Sequence, residues 1–93
     1  MMPAAQTIKN RIAPDKVKYV RDADILFIRL SPFLYYYGDE VQDGMYVIRR
    51  DKDNGILGFQ ILDYSKRSPE QIRGLLSSEG YELASLPRHP IAG

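Results

Sequence analysis

The sequence predicts an α+β fold: a small antiparallel β-meander of about four strands with one C-terminal helix packed on one face. Three observations carry this. Short runs of β-branched and aromatic residues recur between residues 17 and 62. Polar turns rich in Asp, Asn and Gly separate them, the chemistry of hairpins. A helix-start signature, Ser68-Pro69-Glu70-Gln71, then opens a segment with apolar residues at helical spacing.

Residues 1–16 read as a basic N-terminal arm. Ala5, Ile8 and Ile12 sit at helix-like spacing in it, which predicts a short amphipathic helix. Pro14 ends that helix at or before Ala13. Val17 to Val20 is a short strand, Arg21-Asp22-Ala23-Asp24 a polar turn, and Ile25 to Leu30 the second strand. Ser31-Pro32 breaks this strand, and an aromatic run, Phe33 to Tyr37, leads to Gly38-Asp39. The third strand is expected from Glu40 to Arg50. Asp43-Gly44 inside it predicts a bulge or false start. Asp51 to Gly55 is a turn, with Asn54-Gly55 suited to positive φ. Ile56 to Leu62 is the fourth strand, interrupted by Gly58. In the helix Ser68 caps, Pro69 takes the first position and Gln71 completes a capping box. Ile72, Leu75 and Leu76 form its apolar face, and Gly80 stops it. Residues 17–80 make one domain. Residues 81–93 are a tail, irregular after Glu82, whose Tyr81, Leu83 and Leu86 remain available for packing.

The strands carry large apolar groups on both faces. Leu26, Ile28 and Leu30 alternate with Ile25, Phe27 and Arg29. Leu57, Phe59 and Ile61 share a face, with Ile56 and Leu62 opposite. One short helix covers one face only, so the other needs a partner unless the arm and tail fold back over it. A homodimer or a cognate protein is the physical inference, burying Ile25 and Phe27 or Ile56 and Leu62.

Composition removes many chemistries. The chain has no cysteine and one histidine, so disulfides, thiolate nucleophiles and Cys- or His-rich metal sites are out. It has no long apolar stretch and no leader-like segment, so a membrane span is excluded and a cytoplasmic location expected. Phosphate-loop, dinucleotide and nucleophile-elbow motifs are absent, and no cofactor is expected. The net charge of +1 hides a pattern. Residues 1–21 carry +4, residues 22–63 carry −4 and residues 64–93 carry +1.

Four groups of residues could carry function. Tyr35, Tyr36 and Tyr37, with Phe27 and Phe33, are interface candidates, because tyrosine is enriched at protein contacts. Three consecutive tyrosines cannot all face one way in a strand, so at least one is exposed. Asp22, Asp24 and Asp63 are an acidic candidate site for a cation or for acid–base work. Turn chemistry accounts for the same residues, since short Asp side chains bond nearby amides. Lys66, Arg67 and Arg73 could contact an anion near the helix start. Asp51, Asp53 and Asn54 suggest a calcium loop, but with Gly55 at loop position six Arg50, Lys52 and Ile61 fall at ligand positions. The loop is a hairpin turn.

Residues Tyr19 to Arg67 resemble a small bacterial family, domain of unknown function 2283. The resemblance rests on Tyr19, Ala23-Asp24, Leu26-Phe27-Ile28-Arg29-Leu30, the turn Asp51 to Gly55, the strand Ile56 to Leu62 and the segment Asp63-Tyr64-Ser65-Lys66-Arg67. It implies an antiparallel meander with a C-terminal helix and no established activity. Some members look like the smaller half of toxin–antitoxin-like pairs, which implies a protein partner. Val20 and Arg21 stand where the family has an Asp-Pro-like start, and Phe33 to Tyr37 is aromatic where the family is polar.

The leading functional expectation is a non-enzymatic protein-binding module that self-associates, antitoxin-like in its partnership. A nucleic-acid-binding module using the basic arm comes second. A small enzyme or metal-binding protein using Asp22, Asp24 and Asp63 comes third.

Overall fold

Each turn of the sequence has the chemistry to reverse the chain, and the strands follow from that. The computed structural model describes residues 10–87. β1 is Asn10–Arg11, followed by a 3-10 turn at Pro14–Lys16. β2 (Val17–Val20) and β3 (Ile25–Arg29) form the first hairpin. Asp24 closes its turn in the left-handed region, φ 55°, a conformation Asp tolerates because its short side chain bonds locally. β4 (Tyr36–Gln42), β5 (Met45–Arg50) and β6 (Ile56–Leu62) follow. Asn54, at φ 61°, makes the β5–β6 turn, with Arg50 N–H donating to Gly55 O at 2.8 Å.

The helix α1 (Pro69–Ser78) starts as its signature predicts. Ser68 accepts from Gln71 N–H, and the Gln71 side chain accepts from Ser68 N–H, a full capping box. Gly80 sits at φ 87° beyond its end. β7 (Tyr81–Glu82) then pairs in parallel with β1.

The main sheet is antiparallel throughout, in the order β2-β3-β6-β5-β4. The class is the α+β one expected, with five strands in this sheet. Their order is not sequential, because β6 returns between β3 and β5. Its apolar run pairs best there, with strands on both sides covering its backbone. β4 is thereby pushed to an edge.

Three expectations need correction. The strand expected from Glu40 to Arg50 is two strands. Asp43-Gly44 is the turn between them, with Gly44 at φ 73°, and the irregularity lies at Val41 instead. Ile56 does not share the face of Leu62. Ile48 pairs with Gly58 and Arg49 with Ile56, so Leu57 is an extra residue. This bulge turns Ile56 onto the core. Finally, the expected amphipathic helix does not extend to Ile12: Asn10–Arg11 is a strand and Ile12 is buried after it. Ala5, Ile8 and most of the basic arm lie outside the described residues, as does His89.

The core lies on the helix face. Leu26, Ile28, Met45, Val47, Phe59 and Ile61 of the sheet pack with Ile72, Leu75 and Leu76 of α1. Ile12 and Leu83 are buried in the same cluster, and Tyr81 and Leu86 pack against it. Arg49 ties the layers together, with Asp39 at 3.0 Å and Glu79 at 3.4 Å. The helix therefore leaves Ile25, Phe27, Tyr46 and Leu62 on the opposite face, where all four are half-buried.

Candidate functional site

The connection from β3 to β4 must reach the far edge of the sheet. It crosses the strand ends through Ser31 to Tyr35. Leu30 and Ser31 N–H groups donate to Leu57 O at 2.9 and 3.0 Å, which uses the carbonyl of the bulge. Phe33 then lies over Gly58 on the face away from α1. A Cβ at Gly58 would stand 2.8 Å from the Phe33 ring. The Arg29 guanidinium stacks 5.4 Å from the Phe27 ring and 5.2 Å from the Phe33 ring. Phe33 also meets Tyr36, with ring centroids 5.6 Å apart. Phe27, Arg29, Phe33 and Tyr36 thus form one aromatic band.

Tyr35 turns the chain into β4 at φ 48°. That region is costly for a bulky side chain, by roughly 1–2 kcal/mol. Asp51 N–H holds it, donating to Tyr35 O at 2.8 Å. The strain aims the ring outward, where it is 85% exposed. Leu34 (63%), Tyr36 (48%), Tyr37 (39%) and Val41 (39%) are the other exposed large hydrophobic residues among those described. All five belong to β4 and its lead-in. The Tyr37 hydroxyl donates to Asn54 Oδ1 at 2.7 Å, so its ring is fixed while one side stays open. A cleft of about 580 Å³ adjoins this edge, lined by Pro32, Leu34, Tyr35, Leu57 and Arg50.

Of the interface candidates, the structure places Phe27 and Phe33 half-buried on the sheet face, with Tyr35, Tyr36 and Tyr37 exposed at its edge. Leu34 and Val41 were not visible as candidates in the sequence. The signal was the polar run of residues 38–42, with Val41 as its single apolar residue, which suits an exposed edge strand.

The acidic residues have structural partners. Asp24 accepts from Tyr19 OH at 2.7 Å, from Ser65 N–H at 2.9 Å and from Ser65 Oγ at 2.6 Å. Its carbonyl accepts from Tyr64 N–H at 3.0 Å. It clamps the first hairpin to the 3-10 turn Tyr64–Lys66, which Asp63 enters at φ 52°. The hydrogen bond to Asp24, then burial, pushes the Tyr19 phenol up to about 12. Burial also raises Tyr64. Asp22 and Asp63 are exposed, and among the described residues no group of three acidic or histidine side chains could hold a metal ion. Of the basic group, Arg67 Nε donates to Leu62 O at 2.9 Å, and its guanidinium fills the space beside Gly44. Lys66 and Arg73 are exposed. Among the described residues no helix is long and apolar enough to cross a membrane.

A family model described as "Protein of unknown function (DUF2283)" matches residues 16–65. This span runs from the end of the first 3-10 turn through all three hairpins of the main sheet to Ser65, and so contains the aromatic edge and the Asp24 clamp. No curated protein matches the chain, and no solved structure does.

Proposed function

Because the chain belongs to the DUF2283 family, whose description assigns no activity, we propose from its surface that it is a non-enzymatic protein-binding module that self-associates. The observation that carries this is the concentration of exposed apolar groups. Leu34, Tyr35, Tyr36, Tyr37 and Val41 all lie along one sheet edge. A soluble surface scatters such residues, and a contiguous set marks a contact site. Backbone strain at Tyr35 supports the same reading, since holding a bulky ring in the left-handed region and in water gives the isolated fold no stability. A cognate, antitoxin-like protein partner would use the same edge. Phosphate is a poor fit, because Asp39 and Glu40 stand beside the tyrosines.

Tyr36→Glu tests the proposal. It puts a charge into the centre of the patch and removes no hydrogen bond of the core. The expected result is a folded chain, by circular dichroism, whose mass in solution is halved relative to the unmodified protein. An unchanged associated mass would contradict the assignment of the interface.

A further inference from the structure

We infer that the self-association proposed above is a strand pairing, in which β4 lies antiparallel to β4 of a second copy with Gly38 opposite Gly38. The two five-stranded sheets then run on as one. This rests on the self-association reading and adds its geometry.

The backbone comes first. Asp51 N–H donates to Tyr35 O, and Tyr36 is paired with Arg50. Bonded and non-bonded pairs alternate along an antiparallel ladder. Tyr37 and Asp39 therefore turn their N–H and C=O groups to β5, while those of Tyr36, Gly38 and Glu40 point off the sheet. Among the described residues no strand lies on that side. Such a row of unpaired groups is a template for an added strand. The opposite edge is blunted. β2 has four residues, follows Pro14 and carries the charge of Lys18, whereas β4 has seven residues and two tyrosines.

The side chains then select the register. Outward-pointing residues must meet outward-pointing residues. A pairing centred on Asp39 or Glu40 sets a carboxylate against its own copy, and like charges directly opposite are destabilising. Centres at Tyr36 or Tyr37 run the strand off into the Pro32 to Tyr35 connection and pair fewer residues. The Gly38 centre pairs Tyr36 to Glu40 along the whole stretch before the Val41 bulge. It sets Tyr36 across from Glu40 of the second copy and Tyr37 across from Asp39 of the second copy. Glu40 then faces the Tyr36 phenol, an acceptor beside a donor, while the Tyr37 phenol and Asp39 keep their bonds to Asn54 and Arg49. Exposed Tyr35 and Val41 come opposite one another just beyond. Gly38 stands on the two-fold axis, where the missing side chain lets the backbones approach. The same patch serves both copies, as a closed two-fold contact requires.

The chain has no cysteine, so single cysteines report the register. In a bonded antiparallel pair the Cα atoms lie about 5.5 Å apart, inside the roughly 4.4–6.8 Å that a disulfide spans. Gly38→Cys is expected to give a linked dimer under mild oxidation. Val41→Cys, whose copies would lie about 20 Å apart at about 3.4 Å per residue, is expected to stay unlinked. A Cβ at Gly38 meets the Tyr46 ring at 3.2 Å, so a second test avoids that position. A mixture of Tyr37→Cys and Asp39→Cys chains should link to each other and neither to itself. An unmodified chain that is dimeric while these links fail, or while Val41→Cys links as readily, overturns the register and leaves self-association standing. An unmodified chain that is monomeric at every concentration overturns both.

Discussion

Gly58→Ala and Gly74→Ala are the same substitution with opposite expected signs. A Cβ on Gly58 would lie 2.0 Å from Ile28 O and 2.8 Å from the Phe33 ring. Ile28 is fully buried and its strand is fixed between β2 and β6. The backbone must therefore move by more than about 1 Å, since relief through a rotamer change is open to Phe33 alone. Overpacking of this kind costs about 3 kcal/mol at the upper end of the usual range. Loss of glycine's freedom in the unfolded chain returns about 1 kcal/mol. A net loss of about 2 kcal/mol, at a urea slope of about 1 kcal/mol per molar for a small domain, lowers the midpoint by about 2 M. Gly74, in α1, has nothing within 4 Å of the same built atom. There alanine removes the helix penalty of glycine and raises stability by about 1 kcal/mol. Urea unfolding followed by circular dichroism measures both. An unchanged midpoint for Gly58→Ala, or a lowered one for Gly74→Ala, would refute this reasoning.

Three further outcomes are expected. Asp24→Ala returns the Tyr19 phenol from about 12 toward its ordinary 10.0, as read by ultraviolet titration. Because the folded value is raised, this bond stabilises fully below pH 10.0 and is lost as pH rises through about 12. The native protein should therefore lose stability across that window, and the variant should lack this loss; a titration left unchanged in the variant would contradict it. Ser68→Ala removes the cap accepted from Gln71 N–H and should cost about 1 kcal/mol in thermal unfolding. Tyr35→Gly relieves the left-handed strain and should leave the fold as stable or up to about 1 kcal/mol more stable, yet weaken association in sedimentation; a variant that is destabilised and still associates as before would separate Tyr35 from the interface.

What the sequence made legible is what local chemistry decides. Asn54 takes the positive φ that the Asn54-Gly55 turn suits, although Gly55 does not, Ser68 to Gln71 forms a capping box, and the β2–β3 hairpin needs only neighbouring residues. Ile72, Leu75 and Leu76 announce their face by spacing alone. The strand order was not legible, because the place of β6 depends on pairing between residues 29 to 37 positions apart, Leu26 with Ile61 among them. The bulge at Leu57 was hidden for the same reason. Period-two alternation assigns faces correctly until an extra residue reverses them, as at Ile56. Asp43-Gly44 read as a flaw in one strand because Glu40 to Arg50 has strand formers on both sides of it. Without that turn, the pattern does not mark Tyr36 to Gln42 as an edge strand or Val41 as exposed. The tyrosines stood out by composition. What ties Asp24 to Ser65 is contact between residues 41 apart in the chain, which no local pattern encodes.

The most direct test of the account is the mass of the unmodified protein in solution, by light scattering over a range of concentrations. The aromatic edge predicts a species of twice the 10.7 kDa chain mass, reverting to the single chain on dilution. A single chain mass at every concentration would contradict self-association through β4.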